Sequence, residues 1–198
     1  MYHRFALALG LLVPALLAAA QEPRKGRVIH LKPGPDAQRE VQRALIRAKP
    51  DDVLEFAAGT FEFNASLSLT VANVTLRGQG MGKTIWSFKK QDQGKEGLLV
   101  TADGFTAEDF TIVDSKGDGL KVNGARRVTF RRVEATWSEA AKETNGGYGL
   151  YPVQCKQVLI EDCVASRASD AGIYVGQSQH IIIRRCKAVE NVAGIEVE

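Results

Sequence analysis

The chain has 198 residues, 44% hydrophobic and 25% charged, a balance that fits one globular domain and excludes disordered, collagen-like and low-complexity chains. The 26 basic and 23 acidic residues leave a formal net charge of +3, too small a surplus to point to nucleic acid. The 19 glycines, set among many Val, Ile and Thr, favour a turn-rich β protein.

Residues 1–20 read as a secretory leader. Met1 to Arg4 is a short basic start, Phe5 to Ala18 is apolar, and Ala18-Ala19-Ala20 supplies a small-residue cleavage site. The apolar run is shorter than a span and contains Pro14, which argues against a membrane anchor. The expected location is therefore periplasmic or extracellular. Residues 21–35 contain Pro and Gly and read as a linker. Asp36 then caps an expected helix over about 37–49, with Val41, Ala44, Leu45 and Ala48 on one face and Pro50 as its stop. Coils of a β domain follow from about residue 53 to residue 198.

That domain repeats. Gly97-Leu98-Leu99-Val100, Gly119-Leu120-Lys121-Val122, Gly149-Leu150-Tyr151-Pro152, Gly172-Ile173-Tyr174-Val175 and Gly194-Ile195-Glu196-Val197 are versions of one motif, with glycines 22, 30, 23 and 22 residues apart. A second apolar motif starts at Phe105, Val128, Val158 and Ile181, spaced 23, 30 and 23 residues apart. Several short strands per period of this length mean a stacked solenoid, and the leucine and asparagine pattern of leucine-rich repeats is missing. The expected architecture is all-β: a right-handed parallel β-helix with an N-terminal capping helix. The motif at Gly194 is the last, and no terminal cap follows it, so the chain reads as a fragment truncated at its C-terminus.

Stacking makes equivalent offsets spatial neighbours. Cys163 and Cys186 fall one rung apart in the column of Val133 and Phe110. A disulfide between them is geometrically conceivable, but buried thiols acting as small hydrophobes is the reading taken. Cys155 aligns with Ala125 and Ser178 at a turn.

The helix, Gly59-Thr60-Phe61, Val74-Thr75-Leu76-Arg77-Gly78-Gln79-Gly80 and the glycine repeats resemble exported right-handed parallel β-helix proteins of the pectate-lyase-like superfamily. Similar repeats occur in carbohydrate-binding and sugar-hydrolysis domains. Residues 114–119, 145–154 and 169–178 look like one bacterial subgroup without an established reaction. The resemblance implies a polysaccharide ligand, with a uronic-acid polymer as the first expectation. The compact Asp-Pro-His-Glu signature of uronan epimerases is absent.

In each Gly-aliphatic-x-Val motif, x points outward. That column is Leu99, Lys121, Tyr151, Tyr174 and Glu196, a candidate sugar platform in which aromatic faces and hydroxyls both contribute. Stacked aromatics also stabilise sheets without any ligand. Gln154 and Gln177 share a neighbouring column. The stretch before Gly149 is longer than its counterpart before Gly172, and the extra residues around 137–147, including Glu143, Thr144 and Asn145, should overhang the tyrosines, with Asn145 and the adjoining Tyr148 as candidate binding residues. Asp118, Asp170 and Glu143 are the candidate acid–base groups, with Lys116 as an alternative base. No cofactor is required by these residues, although Ca2+ could bridge carboxylates to a uronate. A lyase, a hydrolase and a non-catalytic binding or scaffold protein all remain open.

Overall fold

The computed structural model describes residues 26–198. The leader expected over residues 1–20 lies outside them. The expected linker is only partly a linker, because Val28–Leu31 forms β1. The helix α1 (Ala37–Arg47) follows, ending two residues before the expected boundary. The next strands are β2 (Val53–Phe56), β3 (Gly59–Glu62), β4 (Ala65–Leu69), β5 (Thr75–Arg77), β6 (Thr84–Ser87) and β7 (Gln93–Val100). Then come β8 (Thr106–Val113), β9 (Leu120–Asn123), β10 (Arg126–Thr136), β11 (Leu150–Val153) and β12 (Lys156–Glu161). The last strands are β13 (Val164–Ser166), β14 (Ala171–Val175), β15 (Gln179–Arg184), β16 (Lys187–Val189) and β17 (Ala193–Val197). No helix among the described residues is long and apolar enough to cross a membrane.

Every strand pair is parallel, as in a β-helix. One face runs β1-β2-β5-β8-β10-β12-β15, and a second runs β4-β7-β9-β11-β14-β17. The third is formed by β3, β6, the far halves of β8 and β10, β13 and β16. Side chains from the three faces fill the interior. In the early coils the filling is aromatic, with Trp86 packed 4.7 Å from Phe56 and 4.8 Å from Phe110 between ring centroids. Its indole N–H is buried without a hydrogen-bond partner, at a cost of about 1–3 kcal/mol. The surrounding aromatic packing offsets that cost. Later coils are filled by smaller groups, such as Ala135, Ala165 and Cys163.

The repeated glycine has a steric cause. A Cβ on Gly119 would lie 2.6 Å from the Gly149 carbonyl oxygen, and one on Gly149 would lie 2.5 Å from that of Gly172. Here the chain enters each strand so close to the next coil that only hydrogen fits.

The corners are left-handed. Asp51, Asn73, Arg127, Gln157 and His180 stack in one column with φ between 56° and 70°, and Asp109, Arg132, Asp162 and Arg185 stack in another with φ between 51° and 66°. This region costs a non-glycine residue roughly 1–2 kcal/mol. The cost is met because backbone hydrogen bonds between coils continue through the bend, as in Asp51 N–H to Asn73 O at 2.8 Å and Asn73 N–H to Asp103 O at 2.7 Å.

Charge also stacks in register. His30, Glu55, Arg77, Glu108, Arg131, Glu161 and Arg184 occupy one outward column. Each acid sits between basic neighbours. Arg77 Nε is 2.6 Å from Glu108, Arg131 Nε is 2.7 Å from Glu161, and Arg184 Nη2 is 2.6 Å from Glu161. The arginines hold the Glu161 carboxyl below its usual range.

Helix α1 caps the first coil. Ala37, Val41 and Leu45 are buried beneath it, on the face expected from their spacing. Asp36 makes no side-chain cap. Its backbone is not in the extended conformation of a capping residue (φ −97°, ψ 10°), and its carboxylate pairs with Arg39 at 2.9 Å instead. The glutamines of α1 act as a substitute strand along the edge of β4. Gln38 Oε1 accepts from Ala65 N–H at 3.1 Å, and Gln42 both accepts from Ser68 N–H at 3.0 Å and donates to Ser68 O at 3.1 Å. The unpaired edge that would otherwise invite aggregation is thereby occupied.

Asp52 ties helix to solenoid. Its buried carboxylate accepts from Arg27 N–H at 3.0 Å, Lys49 N–H at 2.9 Å and Arg27 Nη2 at 2.7 Å. The Arg27 hydrogen bond leads in pulling its pKa far below the usual value.

Two outcomes are expected. Gly149→Ala should destabilise the fold by about 2–3 kcal/mol through overpacking, read as a lower urea midpoint. Asp52 has a depressed folded pKa, so its contribution is complete above about pH 4 and is lost as pH falls. Asp52→Asn should therefore cost about 2 kcal/mol at pH 7 and flatten the acid limb of a stability–pH curve.

Candidate functional site

The outward column read from the motif is present as a column. Leu99, Lys121 and Tyr151 pair in register, and Tyr174 pairs with Glu196. The Leu150–Ile173 pairing places Tyr174 on the rung above Tyr151. Tyr151 and Tyr174 have ring centroids 5.2 Å apart.

Tyr148 arrives from the longer connection after β10. Two anchors hold that connection. Trp137 is buried and its Nε1 donates to Ser115 O at 2.7 Å, while Asn145 Nδ2 donates to Arg167 O at 2.7 Å and to Ala140 O at 3.1 Å. Between them, residues 138–144 are exposed. Beyond them, Tyr148 turns onto the column, stacked on Tyr174 at 4.5 Å and 15° and tilted against Tyr151 at 4.7 Å. The result is a compact cluster of half-buried tyrosines on the β9-β11-β14 face.

Charged groups border it. Lys121 Nζ lies 4.7 Å from the Tyr151 ring centre. It donates to Asp118 Oδ2 at 3.1 Å and lies 3.8 Å from Glu96 Oε1. Burial pushes the Asp118 carboxyl up, against the pull of Lys121. Tyr148 is pushed up to about 12 by burial and by its hydrogen bond and proximity to Asp170. Tyr174 is pushed up to about 12, chiefly by its hydrogen bond to Glu198. Both phenols are neutral donors at neutral pH, each already aimed at a carboxylate.

The structure brings together Asp118, Lys121, Tyr148, Tyr151, Tyr174 and Asp170, with Glu196 above Tyr174. Lys116 and Glu143 are exposed, and no hydrogen bond or ion pair among the described residues joins their side chains to the cluster. Gln154 and Gln177 do stack, with Gln154 Nε2 donating to Gln177 at 3.4 Å. They sit at the corner after the strand, beside Gly124, Arg126 and Lys156, away from the Asp118 end. Asn145 is corrected from a ligand-facing residue to a loop anchor: it is buried and its amide is consumed by two backbone carbonyls.

Two members were missed. Glu96 precedes Gly97 as Asp118 precedes Gly119 and Tyr148 precedes Gly149, so the same repeat offset marks all three. Glu198 stands four residues after its motif glycine, at the offset that Gly176 has in the coil below. Reading the motif one residue backward and further forward would have found both.

Among the described residues, no three of His, Cys, Asp and Glu converge to hold a metal ion. Asp118 and Glu96 lie beside Lys121, and Asp170 and Glu198 pair with phenols.

A sequence search of curated proteins gives no match. Among solved structures, pectate lyase Pel9A superposes with a TM-score of 0.67 at 14% identity, over 83% of this chain and 48% of that one. The present chain thus spans about half the length of that lyase. A pectin methylesterase solved with hexasaccharide VII gives a TM-score of 0.47 at 13% identity, over 88% of this chain and 71% of the other. Residues 64–198 match the family described as "Right handed beta helix region", and the chain belongs to that family.

Proposed function

We propose that this chain is an exported protein that binds a polysaccharide across the tyrosine face, with the leader at residues 1–20 directing it to the periplasm or the exterior. The observation that carries the reading is the cluster itself. Three half-buried tyrosines from two coils and one loop form an amphipathic surface, and Lys121 extends the same column. Aromatic rings offer a sugar apolar contact, and phenols and carboxylates offer hydrogen bonds to its hydroxyls. Coils spaced by about 4.8 Å repeat at nearly the length of a sugar ring, so a glycan chain can lie along the solenoid axis. Such a face in a β-helix supports the polysaccharide reading. The solved neighbours support the fold alone.

Charge bears on the sugar. Glu96, Asp118, Asp170, Glu196 and Glu198 surround the tyrosines, and Lys121 is the cation in the column. A neutral or amino-bearing sugar therefore suits the Tyr174 end better than the uronate first expected. A uronate fits only near Lys121, or through a shared Ca2+.

Hydrolysis is the second reading, favoured by Asp118. A half-buried carboxyl whose pKa is raised by burial has the character of a general acid. Elimination is less well served, because Lys121 is engaged as a hydrogen-bond donor to Asp118.

The test is retention on a polyuronate, a neutral glucan and a partly deacetylated amino-sugar polymer, with Ca2+ present and absent. Tyr174→Ala should weaken retention on the bound polymer about tenfold, equivalent to about 1.4 kcal/mol. Unchanged retention would place binding elsewhere. Reducing ends should appear only if Asp118 acts as an acid. In that case Asp118→Asn abolishes turnover and leaves retention intact, and wild-type turnover falls as pH rises through the raised Asp118 pKa. An absorbance rise from unsaturated uronate would overturn both readings in favour of elimination.

A further inference from the structure

We propose that Cys163 and Cys186 are a redox-active pair that closes to a disulfide between adjacent coils. The register sets them opposite each other. Val164 pairs with Lys187 in parallel strands, and the cysteines are the residues immediately before. Neighbouring strands lie about 4.8 Å apart, inside the Cα separation that a disulfide spans. Both thiols face the core column continued by Val133 and Phe110. Cys163 is fully buried, whereas Cys186 packs on the core but stays partly open to solvent. Their sulfurs approach neighbouring carbonyls of one strand: Cys163 Sγ is 3.2 Å from Glu161 O and Cys186 Sγ is 3.5 Å from Ile160 O.

The two thiols also differ chemically. A hydrogen bond between them raises the Cys163 pKa far above its usual value and draws that of Cys186 down to about 7. The accessible thiol is therefore the attacking one, because the thiolate is the nucleophile. The third cysteine differs in kind. The Cys155 thiol is buried at another corner, within 3.4 Å of Val122 O, and burial raises its pKa.

The oxidant is an external disulfide, either a small molecule or a protein. The Cys186 thiolate attacks one of its sulfurs, forming a mixed disulfide and expelling the first thiolate, which takes up a proton. Cys163 loses its proton, attacks Cys186 Sγ and expels the second thiolate, which is protonated in turn. Two protein thiols are oxidised by two electrons, and the external disulfide is reduced to two thiols.

The position gives the bond a consequence. Cys163 belongs to the coil that continues into β14 and carries Tyr174. Cys186 belongs to the coil that continues into β17 and carries Glu196 and Glu198. A covalent link there holds the carboxylates above Tyr174 in place.

The chain is equilibrated with oxidised glutathione and, separately, with excess reductant, then denatured, alkylated and mapped by mass spectrometry. The oxidised sample should carry one alkyl group, on Cys155, and a peptide pair joined through Cys163 and Cys186. The reduced sample should carry three. Hydrogen exchange over residues 187–198 should slow on oxidation in wild type and in Cys155→Ser, and should not respond in Cys186→Ser. Three alkylated thiols after oxidation, a bond that includes Cys155, or a glutathione adduct that persists on Cys186 without closure would each overturn the proposal.

Discussion

One constraint governs this molecule: each coil must present its peptide groups to the coil beneath it in parallel register. Once that ladder is set, any residue type that recurs at one offset becomes a column with a spacing of about 4.8 Å. The glycines at the strand entrances form such a column because carbonyls of the next coil leave no room for a side chain. The tyrosines form another, and the cysteines a third. The outward column from His30 to Arg184 shows the electrostatic side of the same rule. Like charges so closely stacked would repel, and the chain alternates them.

The ladder also overrides local preference. Arginine and glutamine seldom adopt left-handed backbone, yet they do so at the corners. The hydrogen bonds that pass from coil to coil through each bend outweigh the local strain. Stability is thus collective, built from contacts between neighbouring coils. The ends need separate provision. At the N-terminal side α1 supplies it, with glutamine amides standing in for a strand.

The site joins a rigid part and an irregular one. Tyr151, Tyr174 and Lys121 are held by the sheet at fixed spacing. Tyr148 is delivered by the connection that departs from the repeat, anchored by Trp137 and Asn145. Rigid strands set the direction in which a glycan can run. The connection and the bordering carboxylates set what it meets there. The position of Asp118, half-buried beside a lysine and a tyrosine, follows from its place two residues before β9, at the edge of the platform.

The sequence by itself determined the architecture, the inward and outward offsets and the column from Leu99 to Glu196. A period is a covalent property, and stacking turns it directly into spatial adjacency. It did not determine partners. Asp36 was expected to cap a helix but pairs with Arg39. Asn145 was expected to face a ligand but anchors a loop. Part of the expected linker is a strand. Glu96 and Glu198 went unread, although their offsets were visible. Only the tertiary structure decided which side chains meet, because that depends on backbone direction at bends and on which polar groups compete for the same donor. Periodicity reports where each residue lies along the coil; hydrogen-bond competition and close packing decide what it touches.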